Sequence, residues 1–158
     1  MEKAKSFYEK GLSFLEADKP NPKKAANFFI KAWKRFESLT AWDDAYKTLD
    51  KIAECYHKML KKPRQALIYI ERKHDLKNKN KDFEGVVMAD IEMARMFAEY
   101  KNGRDEALEF YKRAWKESKK HKVKESINDL IKKETADVLK LIEKSEEFIQ
   151  KYIKEHYK

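Results

Sequence analysis

Small and large hydrophobic residues alternate along this chain in a fixed order at helical spacings. The pattern is an alanine, a large apolar residue four positions later, and often a second alanine three positions after that. It occurs as Ala25, Phe29 and Ala32, as Ala66 and Ile70, and as Ala107, Tyr111 and Ala114. Residues at these spacings share one face of a helix. Because small residues let two helix backbones approach closely, each stripe predicts a helix packed tightly against a neighbour.

The stripes repeat with a constant period. Ala25, Ala66 and Ala107 lie 41 residues apart, and Ala53 and Ala94 keep the same interval. A constant interval at independent positions is the signature of a repeat architecture, in which each unit is one supersecondary element. The chain is therefore predicted to be built from similar helical units.

Turn residues separate the predicted helices. Pro22 and Pro63 suit a first helical turn, and Gly103 precedes the third alanine stripe. The predicted fold class is all-α, a right-handed superhelical array of antiparallel helical hairpins within a single domain that covers residues 1–158. The predicted hairpins cover about residues 2–38, 41–77 and 82–120.

The last segment, residues 122–158, admits two interpretations. Its apolar residues keep a helical period, and no glycine or proline interrupts them. One interpretation is a single capping helix of about 35 residues, which would cover the last hairpin of the array. The other is a fourth hairpin whose second helix begins at Ser145. The constant phase between Leu141 and Phe148 favours the single long helix.

Composition favours long helices and argues against other classes. The 158 residues include only three glycines and three prolines, whereas a many-stranded sheet needs turn residues in each hairpin. No stretch approaches the roughly 18 apolar residues of a membrane span, and the N-terminus lacks a signal-peptide core. The single Cys55 allows no internal disulfide and fits a reducing compartment. We therefore expect a cytoplasmic protein with at most peripheral membrane contact.

No pattern typical of catalysis or metal binding is present. The four histidines are far apart in sequence, and Cys55 and His57 would lie about 200° apart around a helix. There is no glycine-rich phosphate loop and no motif of serine hydrolases or zinc peptidases. We therefore expect no enzymatic activity, no catalytic residue, no metal ion and no cofactor.

Positive charge is concentrated in the predicted second helices. The formal net charge is +9, and residues 21–40, 61–80 and 101–120 contribute +4, +5 and +3. Because second helices stack side by side in a helical array, we expect a basic stripe that attracts an acidic partner. The basic stripe comprises Lys31, Lys34, Arg35, Arg64, Arg72, Lys73, Lys112, Arg113 and Lys116. The alternative is solvated helix surface with local pairs, for instance Glu109 with Arg113.

The order of small and large residues resembles the tetratricopeptide pattern, and the longer period resembles the soluble NSF attachment protein (SNAP) family. The segments Asn21–Ala32, Ala41–Tyr46 and Ile52–Tyr56 are similar to the first two hairpins of that family. In SNAP proteins the array lies along a SNARE four-helix bundle through a basic surface. A loop there enters the membrane through hydrophobic residues, and an acidic C-terminus stimulates the NSF ATPase. Here residues 17–24 contain no aromatic residue and residues 155–158 are not acidic, so the resemblance implies lateral binding to a helical bundle.

The sequence therefore predicts an interaction adaptor that docks on an acidic or helical protein. The most specific form of this prediction is docking on a SNARE-like bundle in vesicle transport. A peptide groove on the first helices is an alternative, because such arrays bind peptides along their concave face. Its partly acidic lining would comprise Asp44, Asp50, Asp90, Glu92 and Glu99.

Binding of nucleic acid or of an anionic membrane through the basic stripe is a further hypothesis. Such binding would weaken steeply with salt. All but six of the 37 basic residues are lysine, whereas specific nucleic-acid sites favour the planar fork of arginine. Aromatic residues such as Phe28, Phe29 and Trp115 lie at core spacing, so we expect them to pack in the core and not to stack on bases.

Overall fold

The computed structural model describes residues 1–158, and helices are its only regular secondary structure. The α-helices are α1 (Glu2–Glu16), α2 (Pro22–Ser38), α3 (Trp42–Glu54), α4 (Pro63–Lys79), α5 (Phe83–Ala98), α6 (Arg104–His121), α7 (Glu125–Leu141) and α8 (Glu146–His156). A π-helical turn, Cys55–Met59, extends α3, and a 3-10 turn, Lys101–Gly103, precedes α6. The predicted all-α class is confirmed. No helix combines the length and the apolar composition needed to cross a membrane.

Local side-chain chemistry explains where helices begin. The Asn21 Oδ1 atom accepts a hydrogen bond of 3.0 Å from the backbone N–H of Lys24, and Pro22 follows as the first residue of α2. At the start of α5 the Asp82 Oδ1 atom accepts a hydrogen bond of 2.9 Å from the N–H of Gly85. Such caps satisfy N–H groups that have no partner within the helix. Helix α2 therefore begins at Pro22, as the sequence predicts.

The chain forms two compact units, residues 1–73 and residues 74–158, and the boundary lies within α4. In the first unit α1 packs against α2, and α2 packs against α3 and its π-helical turn. In the second unit α5 packs against α6, α6 against α7, and α7 against α8. The helix bounds lie within a few residues of the predicted hairpin ranges. The single domain and the superhelical order of the hairpins stay predictions.

The alanines that define the 41-residue period are fully buried. Ala25 in α2, Ala66 in α4 and Ala107 in α6 each have 0% of their surface exposed. Ala53 in α3 and Ala94 in α5 are also buried. Because a methyl group occupies little volume, helix backbones can approach one another at these positions. The period in the sequence is therefore a period of buried small residues.

A glycine allows an equally close approach in the first unit. The Phe29 ring is fully buried and lies directly against Gly11 of α1. A Cβ atom added to Gly11 would lie 2.5 Å from the Phe29 Cε1 atom and 2.6 Å from Cδ1. Any side chain at Gly11 would therefore force the Phe29 ring to move within a close-packed core.

The prediction of one long C-terminal helix is wrong, and the alternative helix start at Ser145 is correct. Helix α7 ends at Leu141, and Glu143 follows in the left-handed region with a φ of 59°. The Ser145 hydroxyl oxygen then accepts a hydrogen bond of 3.2 Å from the N–H of Phe148 and caps α8. The chain thus turns without glycine or proline, which is why the sequence showed no break.

Helix α8 and the residue after it cover apolar surface in the second unit. Ile149 is buried, and the Tyr157 ring lies 5.1 Å from the Trp115 ring between centroids. The hydroxyl groups of Tyr157 and Thr135 are hydrogen-bonded at 2.9 Å. Helices α7 and α8 thus each bury part of the apolar residues of this segment, whereas Leu141 and Phe148, on either side of the turn, are exposed.

Replacing Ala107 by leucine should lower the free energy of unfolding by about 1 to 3 kcal/mol, because the fully buried position offers no room for three more carbon atoms. Urea unfolding measures this change. The control is Lys116→Leu, an exposed position on the same helix, which should change stability by less than about 0.5 kcal/mol. Equal stability of Ala107→Leu and wild type would show that Ala107 does not mark a close helix contact.

Candidate binding surfaces

Two residues of the predicted basic stripe serve as links between helices in the first unit. The Arg72 guanidinium on α4 pairs with the Glu37 carboxylate on α2. The Lys73 ammonium on α4 pairs with Asp50 on α3, and Lys73 is 8% exposed. These cations are already neutralised by acids of the same unit, so they offer little to an external partner.

The basic-stripe residues on α2 are placed differently. Lys31, Lys34 and Arg35 are exposed and form no ion pair. The Lys31 Nζ atom lies 5.1 Å from the centroid of the Phe28 ring. Arg64 is exposed near the start of α4. In the first unit the charge that remains available to an anionic partner therefore lies mainly on α2.

In the second unit only one of the three predicted basic-stripe residues is exposed. Lys112 donates a hydrogen bond of 2.9 Å to Glu109, so Glu109 pairs with Lys112 and not with Arg113 as considered from the sequence. Arg113 pairs with Asp90, and Lys116 is exposed without an ion pair. The role of the nine residues in partner binding stays a prediction.

Asp90 is a fully buried carboxylate on α5 in the second unit. The Arg113 Nε atom donates a hydrogen bond of 2.8 Å to Asp90 Oδ1, and the His74 Nε2 atom lies 3.5 Å from the same oxygen. Burial raises the pKa of Asp90 above its ordinary value, and this effect exceeds the opposing attraction of Arg113 and His74. Because Asp90 has 0% exposure, the prediction that it lines an open acidic groove is wrong.

An open groove of about 460 Å³, the α1–α3 groove, lies between the two first helices of the first unit. Its apolar wall is formed by Tyr8 and Leu12 of α1 together with Phe36 of α2. The other lining residues are Lys5 and Glu9 of α1, and Asp44, Lys47 and Thr48 of α3. The groove is therefore an apolar trough with two positive and two negative side chains along its edges.

The charged edges of the α1–α3 groove are not used within the protein. Lys5, Glu9, Asp44 and Lys47 form no ion pair. Of the acids predicted to line a groove, only Asp44 lies here. The sequence did not indicate the remaining residues, because only the packing of α1 beside α3 brings them together. Helical spacing does place Tyr8 and Leu12 on one face of α1, which is the one signal available beforehand.

No group of side chains suggests catalysis. No three His, Cys, Asp or Glu side chains lie close enough together to hold a metal ion. Cys55 is buried, and burial raises the pKa of its thiol to about 11, so little reactive thiolate forms at neutral pH. The expectation that the protein is not an enzyme stays a prediction.

No protein-family model matches the chain, and no curated protein sequence matches it. The resemblance to tetratricopeptide and SNAP proteins therefore rests on the 41-residue period and the segments that carry it.

Arg113→Ala should lower the free energy of unfolding by about 3 to 5 kcal/mol at neutral pH, because the buried Asp90 carboxylate would lose its main cation. The double variant Asp90→Asn with Arg113→Ala should recover a large part of this loss. Chemical denaturation of the four members of the cycle measures both effects. Lys120→Ala, which removes an exposed pair with Glu117, is the control and should cost less than about 1 kcal/mol.

The loss in Arg113→Ala should become smaller in acid. Folding raises the pKa of Asp90, so burial of the neutral Asp90 side chain favours the folded state most below the ordinary aspartate pKa of about 3.9. This stabilisation is lost as the pH rises through the higher pKa of the folded state and the buried carboxyl group becomes charged. Arg113 compensates that charge, so its removal costs less stability in acid. A loss that stays the same at acidic and neutral pH would contradict this role of Arg113.

Proposed function

We propose that this protein is an interaction adaptor that holds an amphipathic segment of a partner protein in the α1–α3 groove. The observation that supports the proposal is the groove itself, which combines an open volume of about 460 Å³ with an apolar wall and unpaired charges. Peptide-binding grooves commonly provide apolar contacts for anchor residues and charges that fix their orientation. The α1–α3 groove has both properties.

The edge charges define the chemistry of the partner segment. Lys5 and Glu9 are one helical turn apart on α1, and Asp44 and Lys47 are about one turn apart on α3. Each edge thus presents one positive and one negative side chain. A partner helix with an apolar face and with both signs of charge on its flanks would match them. Such matching contributes to specificity and register more than to affinity.

A superhelical array of the tetratricopeptide or SNAP type is the finer architecture that we propose. In such arrays the first helices line one concave face, and α1 and α3, which line the groove, are first helices of consecutive predicted hairpins. The buried alanines at a 41-residue period support the same arrangement. The most specific partner that we propose is a SNARE-like helical bundle in vesicle transport. The broader proposal is that the protein is a general scaffold for peptides. A cytoplasmic location, suggested by the single cysteine, belongs to this proposal.

The proposal is tested with amphipathic helical peptides selected on the wild-type protein from a display library. Leu12→Gln should weaken binding of the selected peptides about tenfold, because it removes an apolar contact from the groove wall. Fluorescence anisotropy of labelled peptides measures the dissociation constant. The control is Ser13→Gln, an exposed neighbour on α1 that does not line the groove, and circular dichroism checks that both variants fold.

Peptides that bind Leu12→Gln as tightly as wild type would place the binding site elsewhere. A selection that yields no binding peptide would also contradict the proposal. Loss of binding in both variants would indicate a general effect on α1 instead of a contact in the groove.

A further inference from the structure

Basic and phenylalanine side chains follow one another along a single face of the α1–α2 hairpin. The residues on α1 are Lys3, Phe7, Lys10 and Phe14, and those on α2 are Lys24, Phe28, Lys31 and Arg35. At about 100° per residue, each set of four falls within about 60° around its helix. We call these eight residues the basic–aromatic face.

The phenylalanine rings join the two helices into one surface. The Phe28 ring of α2 lies 6.3 Å from the Phe7 ring and 5.5 Å from the Phe14 ring of α1, measured between centroids. All three rings are half-buried. Aromatic carbon atoms therefore remain at the surface between the basic side chains.

The five cations of the basic–aromatic face have no acidic partner. Lys24 lies 5.6 Å from the Phe14 centroid, and Arg35 lies 5.9 Å from the Phe7 centroid. Lys3 and Lys10 are exposed, and none of the five cations forms an ion pair. The glutamates of α1 lie more than a quarter of a turn around the helix from the middle of the face. The face is thus a patch of uncompensated positive charge, unlike the paired cations of α4.

We propose that the basic–aromatic face binds the surface of an anionic phospholipid membrane. Clusters of four to eight basic residues on amphipathic helices favour anionic lipid, and each residue near the surface adds about fivefold to the affinity. Long lysine side chains can reach lipid phosphates while their stems lie on apolar surface. The half-buried rings between them can then contact the boundary between headgroups and acyl chains.

Nucleic acid fits this face less well. Four of its five cations are lysines, which are point charges without the planar fork that recognises bases and phosphates in pairs. The Phe28 ring packs against the Phe7 and Phe14 rings, and a basic side chain lies over each of the three rings. This arrangement differs from a platform of uncovered ring faces on which bases stack. An anionic membrane, whose lipids move laterally, requires neither a planar cation nor an uncovered ring.

The basic–aromatic face and the α1–α3 groove lie on opposite sides of α1. The α1 residues of the groove are centred about half a turn around the helix from the α1 residues of the basic–aromatic face. Binding to a membrane would therefore leave the groove open to a partner protein. The segment that joins α1 to α2, residues 17–21, contains no aromatic residue, so the apolar contribution comes from the helices. This inference goes beyond the proposed function and does not depend on it.

The test is co-sedimentation of the full chain with vesicles of phosphatidylserine and phosphatidylcholine, and with vesicles of phosphatidylcholine alone. The double variant Lys31→Glu with Arg35→Glu should lower the partition coefficient on the anionic vesicles at least tenfold, at about fivefold per basic residue removed. The matched control is Lys23→Glu with Lys62→Glu, which changes the net charge equally. Lys23 is exposed on another side of α2 and Lys62 is exposed just before α4, so this variant should retain most of the binding.

Wild-type protein that does not sediment with the anionic vesicles would overturn the proposal. Equal losses in the two double variants would also overturn it, because net charge and not the face would then control binding. Equal binding to phosphatidylcholine alone would contradict recognition of anionic lipid. Stronger binding to single-stranded RNA at the same phosphate concentration would assign the face to nucleic acid. The peptide assay on the groove contains no lipid, so either proposal can fail alone.

Discussion

Close approach of helix backbones through small residues is the constraint on which the rest of the structure depends. The alanines at a 41-residue period are buried, and Gly11 lets the Phe29 ring lie directly against the backbone of α1. Close approach confines the contact between the two helices of a hairpin to one face of each helix. In the first unit the remaining faces of α1 are left for the α1–α3 groove and for the basic–aromatic face.

Helix packing also decides which charges are available to a partner. Arg72 and Lys73 of α4 neutralise acids on α2 and α3, and Arg113 compensates the buried Asp90. These are structural uses of charge, and removing one member would leave its partner inadequately compensated. The positive charge of α2 meets no acid and stays at the surface beside the Phe28 ring. Net charge alone therefore says little about where an anionic partner would bind.

Most helix bounds could be predicted from the sequence, because buried alanines keep one period and prolines begin α2 and α4. The break after α7 was missed because Glu143 adopts a left-handed conformation without glycine, and a single serine then caps α8. Lys31 was singled out as a surface cation, whereas Phe28 was expected in the core and is only half-buried. The Asp90–Arg113 pair and the α1–α3 groove depend on tertiary packing, which helical periodicity along one segment cannot reveal.

The most direct test of close helix approach is the sign of the stability change in Gly11→Ala. Intrinsic helix propensity alone would make this variant more stable by up to about 1 kcal/mol. We predict the opposite, because the new methyl group would lie 2.5 Å from a carbon atom of the fully buried Phe29 ring. A lower free energy of unfolding in urea would support the close approach of α1 and α2. An increase would show that these helices do not meet at Gly11, and would contradict the packing on which the groove and the basic–aromatic face depend.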